Sequence, residues 1–254
     1  MNETDIKYLA GLLDADGSFF FNYSSNRAYL TIALDLSTGI DRDCQYTKWL
    51  SEKLDVNYTV SKHELSAKDV LSLKIIVSKK STIEMLVPRI LKYLVIKGSH
   101  LNRLFNKWKD VRGDRLSDDE IEELKQFTIE SRKQVGPIKP KEWLPKAYVA
   151  GFIDGDGCYF MKKSSGNYNV STVSHKDDRI IADLLYKQYG GRIVIQEDWV
   201  RWVHPLGRTN KQFAIRFLQD MHRHSRLKVH KIEMFLHYHS QRLNEKPPTG
   251  EVIV

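Results

Sequence analysis

The chain has 254 residues, 41% of them hydrophobic, with a formal net charge of +8 and a pI near 9.3. That length suits one large domain or two of about 110–130 residues, and no run approaches the ~18 consecutive apolar residues of a membrane span. The two cysteines, Cys44 and Cys158, are too few and too unlike in setting for a disulfide framework or a thiolate zinc site, and the opening MNETDIKY lacks the basic-then-apolar order of a secretory signal. A reducing interior is the expected compartment. The basic balance suits nucleic acid or another anionic surface, although charge alone names neither.

Along the chain, a first helix is predicted over 5–16, where Ile6, Leu9, Leu12 and Leu13 form an apolar stripe at helical spacing. Strands follow at 18–24 and 28–37, turned by Ser24-Ser25-Asn26. Next come a helix at 42–54, strands at 56–62 and 70–77, and helices at 81–95 and 99–111. An acidic helix should then open at Ser117, with Glu120 completing a capping box, and run to about Lys133. Gly136, Pro137, Pro140 and Pro145 break it, so 114–142 reads as a linker with a solvated acidic face. The order then repeats: a helix ending near Asp156, strands at 158–164 and 167–174 turned by Ser164-Ser165-Gly166, a helix at 177–189, strands at 192–196 and 199–204, and helices at 210–222 and 226–243. The fold class is therefore α+β, in two halves at 1–113 and 143–254.

The repeat is sharpest in its helices. YLAGLLDADGSFF begins at Tyr8 and YVAGFIDGDGCYF at Tyr148, with seven of thirteen positions identical. Gly11 and Ala15 lie four apart on one helix face, and Gly151 and Gly155 do the same in the second copy. Small residues at that spacing let two helix backbones approach closely. Since glycine costs about 1 kcal/mol in a helix interior, the expected return is that the two copies pack on each other about a pseudo-twofold axis.

Asp14, Asp16, Asp154 and Asp156 then fall at helix C-termini, where partial negative charge disfavours carboxylates. Gly17 and Gly157 should permit the exit turn. Bringing both ends together deepens the repulsion unless divalent cations sit there, bound by carboxylates and end-of-helix carbonyls. Hard oxygen donors in small number favour Mg²⁺ with retained water. Neither copy is an EF-hand, since Gly17 comes too early and Phe19–Phe21 stand where ligands should be.

The words from Leu9 to Gly17 and from Val149 to Gly157 resemble the two signature motifs of the LAGLIDADG homing endonucleases, and the element order is similar over nearly the whole chain outside the linker. The resemblance implies an αββαββα fold in each half, with two antiparallel sheets forming a DNA-binding saddle. It implies a monomeric phosphodiesterase that cuts both strands of a long, imperfectly palindromic site across the minor groove. By match to the motif, Asp16 and Asp156 are the catalytic, metal-binding acids, helped by the carbonyls of Ala15 and Gly155, while Asp14 and Asp154 are structural. Lys97 and Lys228 match the family's active-site lysine. Thr38 and His175 fall near the position of a solvent-ordering Gln; neither is Gln, so the two half-sites are expected to cut at unequal rates. The implied cofactor is Mg²⁺, with Mn²⁺ or Ca²⁺ able to substitute in binding. The implied place of work is with the host genome, in an organelle matrix or a bacterial or archaeal cytoplasm.

Strand alternation assigns the face that would read DNA. In the first half it carries Ser18, Phe20, Asn22, Ser24, Tyr29, Thr31, Asp35, Asn57, Thr59, Ser72 and Lys74. In the second, Lys162, Arg192, Gln196, Arg201 and Arg208 are the expected contacts, with Phe160, Tyr168, Thr172 and Trp199 beside them. Five histidines crowd into HRHSRLKVHKIEMFLHYH, at spacings that fit no zinc motif. A rival reading is an intron maturase, binding RNA on the same scaffold with or without cleavage. A DNA-binding regulator is a third, disfavoured because a binder gains nothing from clustered carboxylates facing phosphate.

Overall fold

A computed structural model describes residues 1–39, 43–56, 58–65, 68–134, 136–162, 167–206 and 211–244. The first half runs α1 (Glu3–Asp16), β1 (Gly17–Ser24), β2 (Arg27–Gly39), α2 (Asp43–Leu54), β3 (Tyr58–Leu65), β4 (Lys68–Val77), α3 (Lys80–Ile90) and α4 (Gly98–Val111). After α5 (Asp118–Arg132), the second half runs α6 (Lys146–Asp156), β5 (Gly157–Lys162), β6 (Asn167–His175), α7 (Ile180–Tyr189), β7 (Arg192–Ile195), β8 (Trp199–His204), α8 (Lys211–His224) and α9 (Val229–Asn244). Each half is thus αββαββ closed by two helices. Both sheets are antiparallel and share one strand order, β1-β2-β4-β3 and β5-β6-β8-β7. No described helix is long and apolar enough to cross a membrane.

Local chemistry explains the boundaries. Asn2 and Asp5 form a reciprocal capping box that starts α1. Ser25 and Asn26 both hold positive φ, 50° and 58°, the geometry that lets a two-residue turn follow the strand twist. Gly17 and Gly157 leave their helices in extended rather than left-handed backbone, correcting the expected exit turn. Glycine is needed there because a Cβ on either would meet its own helix, 2.5 Å from the Leu13 or Ile153 carbonyl oxygen.

Three element expectations shift. The helix expected over 81–95 ends at Ile90, soon after Pro88, because the N–H groups of Val95, Ile96 and Lys97 turn to Asp14 instead. The helix expected over 177–189 is a 3-10 turn, Lys176–Asp178, followed by α7. The strand expected over 56–62 begins at Tyr58 and pairs with β4 as far as Leu65. Ser117 and Glu120 cap α5 reciprocally, as predicted. That helix packs on α4 and β1, with Leu124, Thr128 and Ser131 buried.

The core is continuous through the centre, where α1 and α6 touch backbone to backbone. A Cβ on Gly11 would lie 2.0 Å from the Tyr148 carbonyl oxygen, and one on Gly151 would lie 2.1 Å from that of Tyr8. The glycine spacing in the sequence thus marks a close crossing within one chain.

Candidate active site

The pairing of α1 with α6 brings their C-termini together, and cross-bonds lock it. Tyr8 on α1 donates to Asp154 Oδ2 on α6 at 2.7 Å, and Tyr148 on α6 donates to Asp14 Oδ2 on α1 at 2.6 Å. Asp14 also accepts the N–H groups of Val95, Ile96 and Lys97 at 2.6, 3.2 and 2.8 Å. Asp154 does the same for Arg226, Leu227 and Lys228 at 2.7, 3.0 and 3.2 Å, and for the Ser225 hydroxyl at 2.6 Å. Each buried carboxylate therefore ties its motif helix to the chain entering the last helix of its own half and to a tyrosine of the other half. Burial pushes the Asp14 carboxyl up, and the Tyr148 and backbone bonds pull it back.

Those tied segments deliver the lysines. Lys97 Nζ donates to the carbonyls of Leu13, Ala15 and Gly17 at 3.1, 3.0 and 2.8 Å. Lys228 Nζ donates to those of Ile153, Gly155 and Gly157 at 2.7, 3.0 and 2.5 Å. Each ammonium covers the negative end of a helix dipole with all three of its protons. Burial lowers the pKa of both, and the surrounding carboxylates oppose that shift.

The charges of both lysines act on Asp16 and on Asp156. Burial raises both carboxyls; Lys228 and Lys97 oppose this at Asp16, where Asp35 adds to the rise. Asp156 reaches about 6, from burial first and the Asp16 charge second. The approach is close enough that a Cβ on Gly155 would fall 2.7 Å from Asp16 Oδ2 and 2.4 Å from the Ala15 Cβ. Acids crowded so that the Asp16 charge raises Asp156 form an incipient cation site.

The sheets sort the remaining predicted residues. In the first, Ser18, Asn22, Ser24, Asp35, Thr59 and Lys74 are exposed, Tyr29 is 38% exposed and Phe20 is half-buried. Asp35, Lys74 and Thr59 form one cross-strand row. Thr31 is an exception: it pairs with Phe20 but is 1% exposed, its hydroxyl donating to the Tyr29 carbonyl at 3.2 Å. In the second sheet, Phe160, Arg192, Gln196, Trp199 and Arg201 are exposed. Tyr168 and Thr172 correct the sequence reading. Register puts Thr172 beside Trp202 on the core face, and Tyr168 packs against Phe235 and Tyr238, both residues being buried. Asn57 and Arg208 lie outside the described residues, as do the side chains of Thr38, Ser72 and Lys162. His175 sits at the end of β6, where Nδ1 accepts from the Asp177 N–H and the ring meets Trp199 edge-on.

No protein-family model matches the chain. No curated protein matches it either. Solved structures do. The LAGLIDADG meganuclease I-AabMI bound to uncleaved DNA superposes with a TM-score of 0.65 at 16% identity, over 96% of this chain and 92% of that one. I-SmaMI bound to an uncleaved DNA target in the presence of calcium ions gives 0.63 at 14% identity, over 98% and 94%. The homing endonuclease I-GzeII with its DNA target gives 0.62 at 15% identity, over 92% and 88%. This chain has the LAGLIDADG homing endonuclease fold.

In this fold the donor set suits a hard cation. Among the described residues no three His, Cys, Asp or Glu side chains gather as a metal cage. The hard donors at hand are the Asp16 and Asp156 carboxylates and the end-of-helix carbonyls, a set that suits an oxygen-seeking cation rather than a thiophilic or imidazole-seeking one. The Ala15 and Gly155 carbonyls already accept from the lysines, which leaves each a second lone pair. Sequence reasoning missed the two tyrosine cross-bonds, although Tyr8 and Tyr148 are identical in the repeat. It also missed Asp178, which lines a cavity with Lys97.

Proposed function

We propose that the chain is a site-specific homing endonuclease that hydrolyses both strands of a long pseudo-palindromic DNA duplex across the minor groove, using a divalent cation, with Mg²⁺ the expected one. One observation carries the reading. The two motif helices set Asp16 and Asp156 together at the centre, each flanked by a lysine anchored on a helix end. A DNA-binding module without chemistry has no use for repelling carboxylates at the point nearest phosphate.

Hydrolysis must join a water oxygen to phosphorus, break the bond from phosphorus to the 3′ oxygen, and deliver a proton to that leaving oxygen. Asp16 and Asp156 would hold the cation, which when bound supplies charge neutralisation and a more acidic water. Lys97 and Lys228 would answer the charge that develops on the phosphoryl oxygens, held in place beforehand by carbonyls rather than by solvent. The exposed rows on β1, β2, β3 and β4 and on β5 to β8 would read base edges in the flanking major grooves, with Arg201 suited to a bidentate contact with guanine. Two halves in one chain, with unlike rows, fit a monomer acting on an imperfect palindrome. The DNA-bound state of the similar solved structures supports duplex DNA as the partner.

The test is to challenge the purified protein, in Mg²⁺, with a randomised duplex library and to sequence the cut ends. Sharp cleavage within a long motif is expected. No cut ends together with tight, selective RNA binding would replace this reading with the maturase one.

A further inference from the structure

Lys97 must stand in one place to keep its ammonium on three carbonyls, yet its backbone belongs to no regular element. It is the residue before α4, at φ −94° and ψ 8°, neither helical nor extended, and its side chain makes no cap for that helix. Asp14 takes its N–H at 2.8 Å. The backbone groups on either side of it go elsewhere. The Ile96 carbonyl accepts from the Gly136 N–H at 2.6 Å. The Ser99 N–H, which the first turn of α4 leaves without a helical partner, donates to the Gly136 carbonyl at 2.9 Å. One residue of the segment between α5 and α6 thus brackets the lysine with both of its backbone groups.

That segment is itself held. His100, in the first turn of α4, and Ser131, at the end of α5, are both buried and bond at 2.8 Å, while the other ring nitrogen meets the Phe19 carbonyl on β1 at 3.1 Å. Burial lowers the pKa of the ring and favours its neutral form. The Phe19 carbonyl can only accept, so Nε2 donates to it and Nδ1 accepts from the Ser131 hydroxyl. Arg132 and Gln134 then line one cavity with Lys97. Gly136 follows at φ 127°, a backbone that L side chains rarely adopt, although a Cβ there would meet nothing within 4 Å. The demand for glycine is therefore conformational, and the turn it permits aims its N–H and carbonyl at Ile96 and Ser99.

We propose that the connection from α5 to α6 is a positioning element for Lys97, acting through Gly136, and not only a tether between the halves. This rests on the endonuclease reading above. The cleavage rate then depends on a glycine that brings no side chain to the site.

The experiment pairs amide hydrogen exchange with single-turnover cleavage of the selected duplex by saturating full-length protein. The Ser99 amide should be protected in the wild type, since a first-turn amide has no other source of protection. Gly136→Pro has no N–H and cannot reach φ 127°, so it should release both bonds and speed Ser99 exchange. It should slow cleavage in Mg²⁺ roughly 10- to 100-fold, the loss expected for a catalytic group misplaced by up to about 1 Å, and leave duplex binding in Ca²⁺ unchanged. In a Lys97→Met background the same change should cost less than about twofold, since an element acting through Lys97 has nothing left to act on. Gly113→Ala, at the other end of α4, is the control: Gly113 also holds positive φ, 92°, with nothing within 4 Å of a Cβ, and this variant should cut at the wild-type rate. Should proline prevent folding, shown by the melting temperature, Gly136→Ala makes the same comparison with a smaller loss. An unprotected Ser99 amide in the wild type overturns the inference. So does a wild-type rate once that protection is lost, an equal loss in Gly113→Ala, or a full additive cost beside Lys97→Met. If the wild type cuts no duplex, the endonuclease reading fails instead, and hydrogen exchange still judges the bracket around Lys97.

Discussion

Replacing Gly11 or Gly151 by alanine, the smallest side chain available, should destabilise the protein markedly. The new Cβ would stand 2.0 Å from the Tyr148 carbonyl oxygen and 2.9 Å from the Phe152 nitrogen in the first case. In the second it would stand 2.1 Å from the Tyr8 carbonyl oxygen and 3.1 Å from the Leu12 nitrogen. These are backbone atoms, so no rotamer change relieves the overlap; α1 and α6 must move apart. Overpacking of this kind costs about 1–3 kcal/mol. Separation also stretches the Tyr8–Asp154 and Tyr148–Asp14 bonds, 2.7 and 2.6 Å, in which buried carboxylates accept; bonds to charged groups contribute about 1.5–3 kcal/mol each. Alanine returns about 1 kcal/mol of helix propensity. With the bonds weakened rather than lost, the net cost is about 2–4 kcal/mol, roughly 4–16 °C in melting temperature for a chain of this size. Calorimetry of each variant at neutral pH measures it. An unchanged melting temperature in both would mean that the motif helices do not cross at these glycines.

Further expectations concern charge and position. The folded Asp156 carboxyl stands at about 6 against an ordinary 3.8, so the folded state binds that proton more tightly than the unfolded chain. Its contribution is therefore present at low pH and lost as pH rises from about 4 through about 6; metal-free protein should gain melting temperature from Asp156→Asn at pH 8 but not at pH 4, and added Mg²⁺ should stabilise the wild type more at pH 8 than at pH 5. Equal Mg²⁺ effects at both pH values would count against an Asp156 cation site. Gly155→Ala would press a methyl to within 2.7 Å of Asp16 Oδ2, and a catalytic group displaced by about 1 Å costs on the order of 100-fold; a wild-type single-turnover rate would show that Asp16 is not positioned there. Arg201→Ala, exposed on the outer row of β8 opposite Val173 and Val194, should relax base preference at one or two adjacent positions and leave the rate on the best site little changed. A uniform loss of affinity across all sequences would make it a phosphate contact instead.

Much of this was legible because the chain states it twice. The glycine pairs and the paired acids recur after 140 residues, and a physical demand made on both halves leaves the same mark in both. Partners distant in sequence left less. Asp14 is satisfied by N–H groups 81 to 83 residues away, which no local pattern reveals, and that demand is also what ends the helix after Ile90. Tyr168 and Thr172 were misplaced because NYNVSTVSH alternates small, polar and aromatic residues with little contrast, and either row could be core. Only pairing with β8, where Trp202 and His204 are buried, decides the face. The residues that read DNA are the least legible of all, since an exposed polar row looks the same whether it meets water or base edges.

The central claim is that Asp16 and Asp156 perform chemistry rather than binding. It is tested most directly by comparing wild type, Asp16→Asn and Asp156→Asn on the selected duplex, with Mg²⁺ for cleavage and Ca²⁺ for binding. Each variant should still bind the duplex, because most of the affinity comes from phosphate contacts outside the cation site, while double-strand cleavage falls by several orders of magnitude. Wild-type cleavage of both strands by either variant would contradict the assignment.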